Sequence, residues 1–246
     1  MKKQITLITA TFNAEACLPA LVASIRAQTC SNFDWIVADG GSTDKTLSII
    51  NNNKDIVTLL LDGPDFGIYD ALNKSIKKVH TPYYLVVGAD DFLNPDAIEL
   101  YTIAANNDPL DFISAKVEAS RFGLLRPLRG HAWRFGHLAY VSQHAVGTLI
   151  KTSLHYKIGF YSNRYPIAAD RHFLLNAIKN YGCKVNARDF VAGVYSCEGL
   201  SSSNHYEALL DIFKVDYALS SNPLVTVVFS IIKYIINIPR FIKLKK

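Results

Sequence analysis

Trp35-Ile36-Val37-Ala38-Asp39-Gly40-Gly41-Ser42-Thr43-Asp44 decides how this chain folds. Four apolar residues run straight into a turn of acids, glycines and hydroxyls. A run so short, bounded by turn residues, reads as a buried strand over residues 35–38. Ser42 then reads as the N-cap of a helix carrying Leu47, Ile49 and Ile50. A strand that feeds a helix through a polar turn is half of a crossover unit, so the flanking sequence should repeat the pattern.

Upstream, residues 4–10 read as a strand, and Leu18, Leu21, Val22 and Ile25 follow at helical spacing. Downstream, residues 56–61 read as a third strand. Gly67 opens a helix with Ile68, Ala71, Leu72, Ile76 and Val79 on one face, and residues 83–87 form a fourth strand ending at Gly88-Ala89-Asp90-Asp91. This alternation predicts an α/β fold with a mostly parallel sheet flanked by helices. Thr11 to Asn13, Asp39 to Ser42, and Asp90-Asp91 all follow the carboxyl end of a strand, where open α/β sheets bind ligands. The second half is less regular. Residues 112–117 read as a strand, residues 121–140 as loop and edge structure, and residues 170–178 as a helix with Phe173, Leu174 and Ile178 inward. The expected organisation is residues 1–105, residues 106–205 and a helical tail over residues 206–246, with no linker between the first two.

Half the 246 residues are hydrophobic and 19% are charged, which excludes a disordered chain. The four cysteines form no C-x-x-C pair, so reduced thiols and a cytoplasmic location are expected. The apolar run after Met1-Lys2-Lys3 is too short for a signal peptide. The net charge of +5 has one source: residues 223–246 hold five basic residues and no acid, and the rest balances 21 basic against 21 acidic side chains. Between Ala119 and Ala169 there is no acid, yet Arg121, Arg126, Arg129, Arg134, Lys151, Lys157 and Arg164 occur, with four of the seven histidines. That patch suits a phosphate-bearing partner or an anionic membrane, or is a solvated basic face. No nucleic-acid-binding motif accompanies it, and no nucleic-acid partner is expected.

In residues 224–238 the polar Thr226, Ser230, Lys233 and Asn237 fall on one narrow helical stripe, with Val, Ile, Leu, Phe and Tyr around the rest. About fifteen apolar residues are too few for the roughly 20 that span a bilayer. Pro239 is expected to end this helix, and a basic cluster follows. The pattern fits a helix lying in an anionic membrane interface, against the alternative of a terminal helix packed on its own domain.

No G-x-G-x-x-G, no G-x-x-x-x-G-K-[ST] and no G-x-S-x-G occurs, which argues against dinucleotide, P-loop and α/β-hydrolase chemistry. Carboxylates at strand ends remain. Asp90 and Asp91 stand where Mg2+ or Mn2+ could take one or two protein carboxylates plus substrate phosphate oxygens.

Thr9-Ala10-Thr11-Phe12-Asn13-Ala14-Glu15, Asp39-Gly40-Gly41-Ser42-Thr43-Asp44, Asp65-Phe66-Gly67-Ile68-Tyr69-Asp70-Ala71-Leu72-Asn73-Lys74 and Gly88-Ala89-Asp90-Asp91 resemble, in order and spacing, the successive motifs of the family 2 glycosyltransferases with the GT-A fold. The third string resembles the branch that builds bacterial surface polysaccharides. The likeness is dense over residues 4–100 and thins to about residue 202, through Ala168-Ala169-Asp170 and Gly199-Leu200-Ser201.

The resemblance implies an inverting transfer of a sugar from a nucleoside diphosphate, with UDP expected, to an acceptor hydroxyl. Thr11, Phe12 and Asn13 would line the nucleotide pocket, Asp39 would bond the base with Asp65 assisting, and Asn73 and Lys74 would support the loop around the donor. Asp90 would ligate Mn2+ or Mg2+ with Asp91 beside it on the donor, and Asp170 would be the general base. Gly88 stands where many members carry the first Asp of D-x-D, Phe66 where a small or charged residue is common, and Gly63 where an acid often sits. Asp170 could instead be a helix cap, Asp70 and Asn73 could merely line a helix, His144 could be a core histidine, and Trp133 and Tyr140 could be core rather than sugar platforms. Charge and family together point to a saccharide or lipid-diphosphate-linked acceptor at the inner face of the cell membrane. A nucleotidyltransferase is the rival enzyme, but residues 11–15 lack its glycine-rich loop. A non-catalytic sugar-nucleotide-binding membrane protein is the rival of another class.

Overall fold

The computed structural model describes residues 2–120, 123–127, 139–142, 144–196, 205–220 and 222–243. Strands β1 (Ile5–Thr11), β2 (Asp34–Asp39), β3 (Leu59–Asp62) and β4 (Tyr83–Val86) lie parallel in the order β3-β2-β1-β4. Helices α1 (Leu18–Arg26), α2 (Thr46–Asn51) and α3 (Ile68–Ile76) connect them in turn. Beyond β4 the sheet becomes mixed. It continues through β8 (Thr148–Lys151), β6 (Phe112–Ala119) and β9 (Val185–Tyr195) to β5 (Phe92–Leu93), with β7 (Gly123–Leu125) attached to β6. One sheet therefore runs through both halves of the chain.

The apolar runs are near-continuous because both faces of the sheet are covered. Ile5, Leu7, Trp35, Val37 and Leu85 pack on one side under α1 and α4 (Ala97–Asn107). Their alternates Ile8, Ile36 and Tyr84 pack on the other, under α3, α5 (Leu154–Ile158) and α6 (Ala169–Tyr181). The expected inward residues of α1, namely Leu18, Leu21, Val22 and Ile25, are all buried. Each such side chain contributes about 1.5–3 kcal/mol on burial.

Three local expectations are corrected. Strand β3 starts at Leu59, since the N–H groups of Ile56 and Val57 bond back to the Asn53 carbonyl and use those residues to close the helix. Ser42 is no helix cap: α2 starts four residues later, and the Ser42 hydroxyl is used inside the loop before it. Pro239 does not end the tail helix. Helix α7 (His205–Ala218) is followed by α8 (Pro223–Lys243), which runs through the proline. Its missing N–H removes one bond from the ladder without stopping it.

Candidate active site

The carboxyl ends of the four parallel strands share one edge, and two loops there are stitched into one surface. Thr11, the last residue of β1, is in register with Asp39, the last of β2. Asp39 is 2% exposed, and its two oxygens accept four hydrogen bonds. Oδ1 takes the Thr11 and Ser42 hydroxyls at 2.9 and 2.6 Å, and Oδ2 takes the Gly41 and Ser42 N–H groups at 3.1 and 2.8 Å. A carboxylate has about four acceptor sites, so Asp39 is saturated. A bond from it to a nucleotide base requires one of these donors to give way.

Asn13 completes the stitching in a left-handed conformation (φ 48°), which a short amide side chain tolerates. Its Oδ1 accepts the Thr43 N–H at 2.9 Å, and its own N–H goes to the Ser42 hydroxyl at 2.8 Å. Phe12, between Thr11 and Asn13, is 65% exposed at this edge.

The loop after β3 closes over the same point. A Cβ on Gly40 would stand 2.7 Å from the Asp65 carboxylate, so the absence of a side chain at Gly40 lets Asp65 reach the β2 turn. Asp65 also accepts the Gly67 N–H at 2.9 Å, fixing the entry to α3. Lys74 spans that loop from below, bonding the Pro64 carbonyl at 3.0 Å and pairing with Asp70 at 2.9 Å. Asn73 is spent elsewhere. Its amide donates to the Tyr161 carbonyl and accepts the Tyr161 N–H, tying α3 to the second half. Phe66 stands almost fully free of the protein at the tip.

At the end of β4, Gly88 has a physical consequence. A Cβ there would meet the Asp91 carboxylate at 2.6 Å, so Asp91 occupies the space that a side chain at 88 would take. The Gly88 N–H donates to Asp91 Oδ2 at 2.9 Å, while Oδ1 has no partner and the residue is 1% exposed. Burial first, and then the neighbouring Asp90 charge, push the Asp91 pKa up to about 7. Asp90 is more open and accepts the Ser196 hydroxyl at 2.6 Å. His144 comes to this corner stacked on Tyr195, with its Nδ1 3.6 Å from Asp91 Oδ2 and otherwise unpartnered. Burial pushes its pKa down to about 4, so the contact is not an ion pair at neutral pH.

Among the described residues no three His, Cys, Asp or Glu side chains gather closely enough to hold an ion by themselves. Mg2+ and Mn2+ need fewer, since substrate phosphates and water complete their shell. Asp90, more open than Asp91, and the unpaired Oδ1 of the buried Asp91 are the one or two carboxylates that such an ion could take at this strand end.

Asp170 sits in the first turn of α6, open to water but surrounded by protein. That crowding pushes its carboxyl pKa upward, against the lowering effect of its hydrogen bonds. Oδ1 accepts the Tyr69 hydroxyl at 2.8 Å and the Arg171 N–H at 2.7 Å. It caps no helix end. Tyr69, Ser196 and Tyr195 were given no role by sequence reasoning. Tyr69 lies within the third motif string, whereas Ser196 and Tyr195 carry no local signal. Tyr140 is partly buried against the core, and Trp133 and Gly199-Leu200-Ser201 lie outside the described residues.

With this geometry established, comparisons place the chain. The model of glycosyl transferase family 2 matches residues 6–164. A glycosyltransferase of PGL/p-HBAD biosynthesis from Mycobacterium tuberculosis is 31% identical over 187 residues, covering 71% of this chain and 70% of that protein. The teichoic acid poly(glycerol phosphate) polymerase of Staphylococcus epidermidis is 31% identical over 109 residues, 42% of this chain and 15% of that enzyme. In three dimensions, S. aureus TarS 1-349 in complex with UDP-GlcNAc superimposes with a TM-score of 0.69 at 19% identity, over 88% of this chain and 65% of that one. The mannosyltransferase PcManGT of Pyrobaculum calidifontis, in complex with GDP-Man and Mn2+, gives 0.67 at 15% identity, over 94% and 69%. The fold is that of the GT-A enzymes, and the chain belongs to glycosyl transferase family 2.

Proposed function

We propose that this chain transfers a sugar, with inversion, from a UDP donor to a hydroxyl of a saccharide or lipid-diphosphate-linked acceptor during surface polysaccharide assembly. The observation that carries the reading is Asp170. Tyr69, on the helix opened by the loop of Asp65, holds one of its carboxylate oxygens and leaves the other without a protein donor among the described residues. As the general base, Asp170 takes the acceptor proton while the acceptor oxygen bonds the anomeric carbon and the bond to the UDP oxygen breaks. UDP leaves with the electron pair. Thr11, Phe12, Asn13, Asp39 and Asp65 form the nucleotide side, with Lys74 bracing its loop, while Asn73 ties that side to the segment leading to Asp170. Asp90 would hold Mn2+ or Mg2+, and the ion would supply charge neutralisation on the departing diphosphate. Relatives named for PGL/p-HBAD biosynthesis and as a teichoic acid poly(glycerol phosphate) polymerase support the acceptor class.

The tail supports a peripheral place on the inner face of the cell membrane. Leu224, Val228, Ile231, Ile232 and Ile235 of α8 are 80%, 55%, 53%, 44% and 56% exposed, while Thr226 and Ser230 lie on the less exposed side. An aliphatic stripe turned outward needs a cover, and the basic residues of the tail suit an anionic leaflet. No helix among the described residues is long and apolar enough to cross a membrane.

A panel of UDP-, GDP-, ADP- and CMP-sugars with Mn2+ tests the reading through thermal stabilisation and donor hydrolysis. At least one UDP-sugar should stabilise the protein and be hydrolysed. Stabilisation by GDP-sugars alone would overturn the donor, and no response to any sugar nucleotide would overturn the function.

A further inference from the structure

Tyr69 lies deep in the molecule, 9% exposed, yet its hydroxyl has two acceptors and one proton. The Ile167 carbonyl is at 2.9 Å and Asp170 Oδ1 at 2.8 Å. Both acceptors belong to the segment that carries Asp170, and that segment is itself held from outside by α7. The Asp211 carboxylate, 2% exposed, accepts the Ile167 N–H at 3.0 Å. On the other side of Asp170, the Arg171 guanidinium makes a forked pair with Asp216, with contacts from 2.6 to 3.0 Å. The segment of the Ile167 carbonyl and Asp170 is thus held on both sides by α7, and the Tyr69 proton has two acceptors within reach.

We propose that Tyr69 is a positioning residue for Asp170. It donates to Oδ1 while the carboxylate is ionised, and turns its proton to the Ile167 carbonyl once Asp170 has been protonated. The inference rests on Asp170 being the base, and it assigns the two oxygens different work. Oδ1, held by Tyr69 and the Arg171 N–H, is the anchored oxygen, and Oδ2 is the one that receives the acceptor proton.

The electrostatics agree with the geometry. The groups around Asp170 are Tyr69 from α3, Tyr84 from β4, Tyr161 from the segment before α6, and Arg171 on its own helix. Burial drives all three phenols well above their usual range, so each stays neutral. Arg171 is already paired with Asp216. Crowding raises the Asp170 pKa, and the Tyr69 hydroxyl is the first of the opposing influences. Removing that hydroxyl leaves the base harder to ionise.

Tyr69→Phe keeps the ring packed against Tyr161 and deletes only the donor. In protein labelled with 13C at aspartate side-chain carboxyls, the Asp170 signal is assigned by its disappearance in Asp170→Asn and then titrated with pH. The midpoint should move to higher pH in Tyr69→Phe. Transfer or hydrolysis of whichever UDP-sugar responds in the donor panel should fall about tenfold at the acid end of the profile, recovering as pH rises, with donor KM unchanged. An unmoved midpoint, or a loss equal at every pH, would overturn the proposal and leave Tyr69 a structural bolt. Near-normal turnover by Asp170→Asn would instead overturn the base assignment, whatever the titration shows.

Discussion

The side-chain amide of Asn73 and the main chain of Tyr161 hold each other from both ends, the amide donating at 2.9 Å and accepting at 3.0 Å across 88 residues of sequence. This two-bond clasp joins α3, which follows the donor-side loop, to the segment leading to Asp170. It is a direct covalent-free link between the two sides of the site.

Asn73→Ala breaks both bonds and strands a buried peptide group at Tyr161, which is 5% exposed. Leaving such a group unpaired costs about 1–3 kcal/mol. Urea denaturation should show a loss of that size, with the midpoint reduced and the slope retained. A variant as stable as the parent would show that the clasp contributes nothing.

The metal prediction concerns Asp90. UDP should bind much more tightly with Mn2+ or Mg2+ than in the presence of a chelator, and Asp90→Ala should remove that difference. Calorimetry giving equal UDP affinity with and without metal would count against the assignment.

His155 gives the pH dependence of folding. It is 1% exposed, with Nε2 2.6 Å from the Tyr84 hydroxyl and Nδ1 3.2 Å from the Gly159 carbonyl, and burial pushes its pKa down to about 4. Between pH 4 and the ordinary value of 6.5 the unfolded chain binds a proton that the folded one does not. Its contribution is full above pH 6.5 and declines on acidification, by at most about 1.4 kcal/mol per pH unit. Asp91, raised to about 7, works in the opposite sense, so the difference between parent and His155→Asn isolates the histidine. The parent's stability advantage over His155→Asn should be constant above pH 6.5 and shrink on acidification towards pH 4; a difference that stays constant down to pH 4 would contradict the account.

The tail is tested with vesicles. The full chain should sediment with anionic liposomes, be only partly released by high salt, and bind neutral liposomes more weakly. Each basic residue near the surface contributes on the order of 1 kcal/mol, and salt screens that share while sparing the apolar one. Val228→Asp with Ile235→Asp should abolish the salt-resistant part. Indifference of the full chain to both liposomes would mean that α8 serves its own domain alone.

The first hundred residues were legible because strands buried on both faces leave unbroken apolar runs, and because their polar turns recur at one edge. Thr11, Asp39 and Asp90 could be placed there from order alone, and Asp65 from the family resemblance. What stayed hidden depends on contacts far apart in sequence. Ser196 reaches Asp90 across 106 positions, and Tyr69 reaches Asp170 across 101. Neither distance leaves a periodic trace. Ser42 misled for a related reason: a serine before a helical pattern suits a cap, but the Asp39 carboxylate offered it a closer partner. Gly88 reads in the sequence as a lost carboxylate, whereas in the fold it makes room for Asp91.

The central claim is that Asp170 deprotonates the acceptor, and the most direct measurement is sugar transfer by Asp170→Asn, alongside UDP affinity. General-base catalysis is worth about two to four orders of magnitude. Transfer should fall by that much, with UDP affinity and fold unchanged. Transfer at near-parental rate would contradict the account.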